Sequence, residues 1–313
     1  MISVIIPVYN AEQHLKELLQ CLKLQTYQNF EVLLVNDGST DTSAQNCEAA
    51  AVTESRFRCV HQSNQGVSAA RNLGLTLSKG AYIAFLDPDD QIPENYLAAL
   101  RAALVENDCS LSVCDVAVVD DNVETRRFTL PPQLLSQTET MNYLLARTGI
   151  NSGPCAKLFR REILEGLQFP PLKAYEDILF VVDAVCRCKC IAVTNRTEYQ
   201  YIQNTAGAMH TFVKTPSQDI VTASHALLDL IDERPELEPR CFYITLSHLM
   251  QYAMPLVQEN TPQAKAFVRA VRKECAGQWN RILRCKAFPW KEKIVYVLFA
   301  CGWLYHNKKF VKV

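Results

Sequence analysis

The chain has 313 residues, of which 49% are apolar and 21% charged, with 10 glycines, 14 prolines and a formal net charge of −1. That length suits two domains and that apolar fraction a buried core, which excludes disordered, collagenous and low-complexity classes. The near-neutral total hides an asymmetry: from Lys265 to Val313 twelve Lys and Arg face only Glu274 and Glu292, giving +10 there and −11 in the rest.

Met1–Pro7 carries no basic n-region and no cleavage pattern, and no apolar run is long enough to span a bilayer. A leaderless cytoplasmic chain is therefore expected. Its 13 cysteines, an odd number, predict reduced thiols rather than a disulfide framework. Cys186-Arg-Cys188-Lys-Cys190 lacks zinc-finger spacing and reads as small buried thiols.

Ser3–Val8 and Phe30–Asn36 are short, nearly continuous apolar runs, the pattern of strands buried on both faces. Between them, Leu15, Leu18, Leu19 and Leu22 recur at helical spacing within a helix predicted over Ala11–Gln25. A second helix is expected after the capping residues Ser39-Thr40-Asp41. Then come a strand over Arg56–His61, a helix over Val67–Ser78 ended by Gly80, and a buried strand over Tyr82–Leu86. Ile92–Glu106, with Pro93 in its first turn, reads as helix, and Leu111–Val119 as strand. This βαβαβ opening implies an open α/β sheet, whose ligands sit beyond the carboxyl ends of its strands. From about residue 213 the pattern turns helical, over Asp219–Ile231, Cys241–Val257 and Pro262–Leu283. The expected division is an α/β domain over 1–212 and a helical region over 213–313.

Two acidic clusters follow strands at the same sheet edge. Asp87-Pro88-Asp89, with Asp90 adjacent, is either a polar turn or a pair of hard oxygen ligands for Mg²⁺ or Mn²⁺. Asp37-Gly38-Ser39-Thr40-Asp41 is either a turn with a helix cap or a carboxylate for a base or ribose. Neither G-x-x-x-x-G-K-[ST] nor G-x-G-x-x-G occurs, which removes the main support for an ATPase or a dinucleotide oxidoreductase.

Four ordered segments, taken together, resemble one family. They are Val4-Ile-Ile-Pro7-Val-Tyr9-Asn10, Leu34-Val-Asn36-Asp37-Gly-Ser-Thr-Asp41, Asn64-Gln-Gly66-Val-Ser-Ala-Ala-Arg71-Asn72 and Gly80-Ala-Tyr-Ile-Ala-Phe-Leu-Asp87-Pro-Asp89-Asp90. Their pattern is similar to that of family 2 glycosyltransferases with the GT-A fold, a Rossmann-like open mixed sheet flanked by helices, here followed by a C-terminal helical region. The resemblance implies that Pro7 and Tyr9 line a nucleotide base and that Asp37 bonds the uracil or ribose. Asn64 and Arg71 would lie by the nucleotide or donor sugar, Asp87 by the ribose, and Asp87 with Asp89 on Mn²⁺ or Mg²⁺. Tyr175-Glu176-Asp177-Ile178 resembles the family's E-D motif, which makes Asp177 the catalytic base and Glu176 its support; read alone, the two acids suit a helix N-terminus. Around Tyr201–His210 the sequence departs from the family, lacking the basic residue and Ser-Ile pair near the diphosphate; His210 reads as a solvated loop residue rather than a ligand.

The implied activity is an inverting, metal-dependent transfer from a nucleotide diphosphate sugar, a UDP-sugar, to a saccharide or lipid-linked acceptor in cell-surface polysaccharide synthesis. A catalytically degenerate scaffold and a nucleotidyltransferase stand as alternatives. In the tail, the apolar block Ile294–Tyr305 holds Tyr296, Phe299, Trp303 and Tyr305 between lysines. It is too short to cross a bilayer and suits a helix lying in the headgroups of an anionic membrane, at the inner face of the cell membrane. Interleaving with bulky apolar residues argues against a nucleic-acid partner.

Overall fold

The computed structural model describes residues 1–120, 123–203, 217–306 and 309–312. Two compact units emerge: Met1–Leu172 with Glu176–Asn204, and Lys173–Tyr175 with Thr205–Val313.

The first unit begins β1 (Ile2–Val8), α1 (Leu15–Lys23), β2 (Phe30–Asp37), α2 (Ser43–Thr53), β3 (Phe57–Gln62), α3 (Val67–Leu77), β4 (Tyr82–Phe85) and α4 (Tyr96–Glu106). It continues with β5 (Leu111–Asp120), β6 (Val123–Phe128), β7 (Gln133–Leu135), α5 (Gln137–Leu145), β8 (Lys157–Arg160), α6 (Arg161–Leu164), α7 (Glu176–Val185) and β9 (Ile191–Gln203). The strands form one nine-stranded mixed sheet in the order β3-β2-β1-β4-β8-β5-β9-β7, with β6 on β5. β1 pairs in parallel with β2 on one side and β4 on the other, so the chain changes direction across the sheet at β1. A crevice at the carboxyl ends of the strands flanking such a switch point is where open α/β sheets hold ligands.

Burial explains the strands. Every residue of β1 is buried, as expected for a strand covered on both faces. α3 lies so close to the sheet that a Cβ on Gly74 would fall 2.3 Å from Ile5 Cγ2. Behind β4, Phe169 and Phe180 stack at 3.8 Å and Phe85 meets both edge-on at 5.3 and 5.7 Å.

α1 is shorter than its leucine spacing suggests, starting at Leu15 rather than Ala11. The intervening backbone is committed elsewhere. Asn10 sits at φ 48° with its Oδ1 accepting from the Thr40 amide, the Ala11 amide donates to Ser43 Oγ, and the Glu12 amide donates to Asp41 Oδ2. The loops after β1 and β2 are thus laced together, which fixes Tyr9 and Asn10 at the edge.

The expectation of reduced thiols fails at one pair. Cys109 and Cys190 form a disulfide 81 residues apart in sequence, because Leu111 pairs with Ile191 and brings the starts of β5 and β9 side by side. The other eleven cysteines are free.

The second unit contains α8 (Gln218–Glu233), α9 (Pro239–Leu256), α10 (Pro262–Gly277), α11 (Trp279–Arg284), α12 (Trp290–Ala300) and the hairpin β10 (Trp303–His306) and β11 (Lys309–Lys312). The helix expected over Pro262–Leu283 is broken at Gln278, and the helix expected over Ile294–Tyr305 ends at Ala300, before Gly302 at φ 86° turns the chain into the hairpin. Two of the aromatics read as headgroup-facing, Tyr296 and Phe299, are instead buried. No helix among the described residues is long and apolar enough to cross a membrane.

Candidate active site

The acids flagged in the sequence collect at the carboxyl edge of β1, β2 and β4, but they do different work there. Asp37 ends β2 almost fully buried, and its Oδ1 accepts from Gln62 Nε2 at 2.7 Å and from the Gln65 amide at 2.8 Å. Its Oδ2 accepts from the Gly66 amide at 2.8 Å. The carboxylate therefore anchors the loop that leads into α3. The Asp37-Gly38 turn presses against that loop: at Gly38, φ 69°, an added Cβ would meet Asn64 N at 2.7 Å. Pro7 is buried in β1 opposite Val35, whereas Tyr9, just beyond the strand, and Asn64 are exposed.

Within the cluster after β4 the three aspartates diverge. Asp87 and Asp89 are partly exposed, while Asp90 is buried. Tyr199, on β9, donates its hydroxyl to Asp90 Oδ2, and the Ile202 amide donates to Oδ1 at 2.9 Å. Burial, reinforced by the charges of Asp87 and Asp89, pushes the Asp90 carboxyl well above the ordinary carboxylate range. Asp90 thus ties the end of β4 to β9. Among the described residues, the one trio of potential ligands lying within 4.8 Å of one another is Asp87, Asp90 and Cys155; Asp89 is not in it. The Cys155 thiol donates to Asp87 Oδ2 at 3.5 Å.

Arg71 joins this cluster to the E-D pair. From α3 its buried guanidinium donates to Asp87 Oδ1 at 2.9 Å and to Glu176 Oε1 at 3.3 Å, and it lies 5.3 Å from the Phe169 ring centroid. Burial opposes its charge, but Asp87, Cys155 and Glu176 outweigh that and hold its pKa above the ordinary arginine value. The resemblance implies that Arg71 lies by the nucleotide or donor sugar; its guanidinium lies between two acids 89 residues apart in sequence.

Glu176 and Asp177 open α7, where backbone amides favour negative charge. The residue before them, Tyr175, has φ 64°, a left-handed conformation that bulky side chains rarely adopt and that is found at functional sites. Burial, then the charge of Asp177, raises the Glu176 carboxyl to about 7. Asp177 is more exposed, and its Oδ1 accepts from the Ile178 amide at 2.7 Å. A Cβ on Gly153 would come 3.3 Å from its Oδ2, so the backbone of the loop before β8 borders this carboxylate.

That loop is held by Lys157, which sequence reasoning missed. Only 1% exposed, its Nζ donates to the carbonyls of Asn151 (2.6 Å), Gly153 (2.6 Å) and Cys155 (3.4 Å), using all three donors. Burial lowers its pKa to about 8. A lone lysine opening the apolar run Lys157-Leu-Phe was the available signal. His210 lies outside the described residues.

The edge therefore combines exposed surface at Tyr9 with partly exposed carboxyl groups at Asp87, Asp89 and Asp177, and the buried Arg71, Asp90, Lys157 and Tyr199 hold the segments that carry those acids. Such an arrangement can hold a polar ligand at the crevice and accept a proton beside it.

The signature of glycosyl transferase family 2 matches residues 3–167. GlyG, a glycosyltransferase of Streptococcus pneumoniae serotype 4, is 31% identical over 232 residues, which are 71% of this chain and 77% of GlyG. Among solved structures, S. aureus TarS 1–349 in complex with UDP-GlcNAc aligns over 100% of this chain and 96% of its own, with a TM-score of 0.71 at 20% identity. The mannosyltransferase PcManGT from Pyrobaculum calidifontis, in complex with GDP-Man and Mn²⁺, aligns over 96% of this chain and 85% of its own, with a TM-score of 0.57 at 18% identity. At these identities the structural likenesses establish the fold, and the sequence matches establish the family, which sets aside the nucleotidyltransferase alternative. The chain belongs to glycosyl transferase family 2 and has the GT-A fold, with a helical C-terminal region.

Proposed function

We propose that the protein transfers a sugar from a nucleotide diphosphate sugar, a UDP-sugar, to a hydroxyl of a saccharide or lipid-linked saccharide, with inversion. The observation that carries this reading is the Arg71 bridge, which joins the Asp87 cluster and the Glu176–Asp177 pair in one site. A donor at the switch-point crevice would stack its base near Pro7 and Tyr9, with Asn64 beside it and Asp37 supporting the loop or meeting the uracil or ribose. The TarS complex with UDP-GlcNAc supports a uridine donor.

Carboxylate oxygens at Asp87 and Asp89 are the hard donors that Mn²⁺ or Mg²⁺ prefers, and both residues are partly exposed. Bound there, the cation would neutralise charge on the departing diphosphate. Arg71 fixes Asp87 for that task and shares its charge with Glu176. The acceptor hydroxyl is a poor nucleophile, so Asp177 takes its proton during attack. A single base opposite the leaving group gives one displacement and an inverted anomeric centre, by analogy with inverting glycosidases. We also read the basic C-terminal region as bringing the enzyme to an anionic membrane at the cytoplasmic face, where a lipid-linked acceptor of surface polysaccharide synthesis would lie.

The test is release of UDP and transfer of labelled sugar from a panel of UDP-sugars with Mn²⁺, with the product anomer read by NMR. Transfer with inversion that is lost in Asp177→Asn supports the reading. Full transfer by Asp177→Asn removes the base, and retention of configuration removes the single displacement.

A further inference from the structure

The described part of the second unit keeps its large exposed apolar side chains in one stretch: Trp279, Leu283, Trp290, Ile294 and Trp303. These include all three tryptophans of the chain. Helical phase explains which side chains face out. In α11, Ile282 is buried while Trp279 and Leu283, one turn apart, are exposed. In α12, Tyr296 and Phe299 turn inward, Tyr296 meeting the Phe288 ring at 5.1 Å, while Trp290 (68% exposed) and Ile294 lie on the other side. Lys293 Nζ donates to the Leu283 carbonyl at 2.7 Å and so draws the two helices together.

Over Trp279–Trp303 basic residues outnumber acidic ones, with Arg281, Arg284, Lys286, Lys291 and Lys293 against Glu292. Glu292 accepts a hydrogen bond from the Tyr243 hydroxyl at 3.0 Å, and Arg281 is engaged by Asp232 and by the Phe242 ring. Arg284, Lys286 and Lys291 remain exposed, and Lys291 lies over the Trp290 ring. Exposed tryptophans rimmed by lysine and arginine are the composition of surfaces that sit at the headgroup level of a bilayer. A second copy of the chain fits less well, because it would set two regions of charge +10 against each other.

We propose that Trp279, Leu283, Trp290, Ile294 and Trp303, with Arg284, Lys286 and Lys291 around them, form an interfacial docking surface for an anionic lipid bilayer. The proposal rests on the reading of the basic C-terminal region as membrane-facing and narrows it to one surface built from two helices and the start of the hairpin. Tyr296 and Phe299, the aromatics central to the sequence pattern, belong to the interior of the unit and take no part.

Because all three tryptophans belong to the proposed surface, tryptophan emission excited selectively over the 12 tyrosines reports on it. Phosphatidylglycerol–phosphatidylcholine vesicles should shift the emission to the blue, and brominated lipid should quench it. Pure phosphatidylcholine should have little effect, and high salt should weaken the response. Trp290→Ser with Ile294→Ser should lower co-sedimentation with the anionic vesicles roughly tenfold. Circular dichroism and UDP binding by the variant serve as the fold control. No blue shift with anionic vesicles overturns the proposal, as does undiminished vesicle binding by the folded double variant. A lipid-independent shift that follows protein concentration overturns it in favour of a second copy. Vesicle binding without UDP binding would remove the donor reading and leave this surface standing.

Discussion

The two units break the rule of apolar inside and charged outside in opposite directions. The first buries Arg71, Asp90, Lys157 and Glu176; the second exposes Trp279, Trp290 and Trp303. Neither departure helps the fold by itself. A buried ionisable group must be paired or hydrogen-bonded to be tolerated, and these are: Arg71 with Asp87 and Glu176, Asp90 with Tyr199 and an amide, Lys157 with three carbonyls. An exposed tryptophan forgoes the stabilisation that burial would bring. The contrast teaches that buried polar groups and exposed apolar groups need separate explanations, for which we propose a catalytic site in the first unit and a docking surface in the second.

Four substitutions can break or sharpen that contrast. The largest effect is expected at Asp177, the carboxylate we propose as the base. Asp177→Asn should lower sugar transfer by about 10²–10⁴-fold while UDP affinity, measured by calorimetry, stays within about twofold. Next is the lattice beneath it. Lys157→Met keeps the length of the side chain but strips three carbonyls of their donor, and urea unfolding should show a loss of about 2–3 kcal/mol. Transfer by Lys157→Met should fall in kcat more than in donor KM, because the loop bordering Asp177 loosens while the nucleotide edge does not. If Lys157→Met is as stable as the parent, the lattice is not what supports the loop.

Glu176 gives a smaller effect with a defined pH dependence. Its folded carboxyl titrates at about 7 against an ordinary 4.5. Between those values the unfolded chain has released a proton that the folded chain retains. The residue therefore destabilises the fold progressively as pH rises through that window, with no further change above it. Thermal melts of Glu176→Gln should accordingly improve relative to the parent from pH 5 to pH 7.5. A difference that is flat, or that runs the other way, would show that Glu176 is held ionised. The smallest effect belongs to the second unit: Trp290→Ser, free of lipid, should change stability by no more than about 0.5 kcal/mol. A larger loss would mean that Trp290 packs in solution and would erase the contrast between the units.

Much of this was legible in the sequence because it is local. Buried runs at Ser3–Val8 and Phe30–Asn36 declare strands without any knowledge of their neighbours, and the acids that follow them fall at one sheet edge as soon as the strands are parallel. What could not be read depends on partners far along the chain. Arg71 meets a glutamate 105 residues away, and Asp90 meets a tyrosine 109 residues away; neither pairing leaves a trace in spacing. Lys157 was hidden for the same reason, since its acceptors are backbone carbonyls, which carry no side-chain signature. In the tail, apolar residues around the whole helix left its phase open, and only packing against Phe288 decides that Tyr296 faces in and Trp290 faces out. The start of α1 is not legible either, because Asn10 takes φ 48° and the Ala11 and Glu12 amides reach Ser43 and Asp41, long-range contacts that leucine periodicity does not report.

In the proposed function, a nucleotide diphosphate sugar is held at the carboxyl edge of β1, β2 and β4. The most direct measurement is a thermal-shift series with UDP, GDP, TDP and CMP, each with Mn²⁺ and again with EDTA. Ligand at about 100 times Kd should stabilise the fold by roughly 2.7 kcal/mol, a shift of a few degrees. Such a shift is expected with UDP and Mn²⁺, collapsing in EDTA and in Asp87→Asn. No shift with any nucleotide would contradict the proposed function and return the degenerate scaffold as the better reading of this fold.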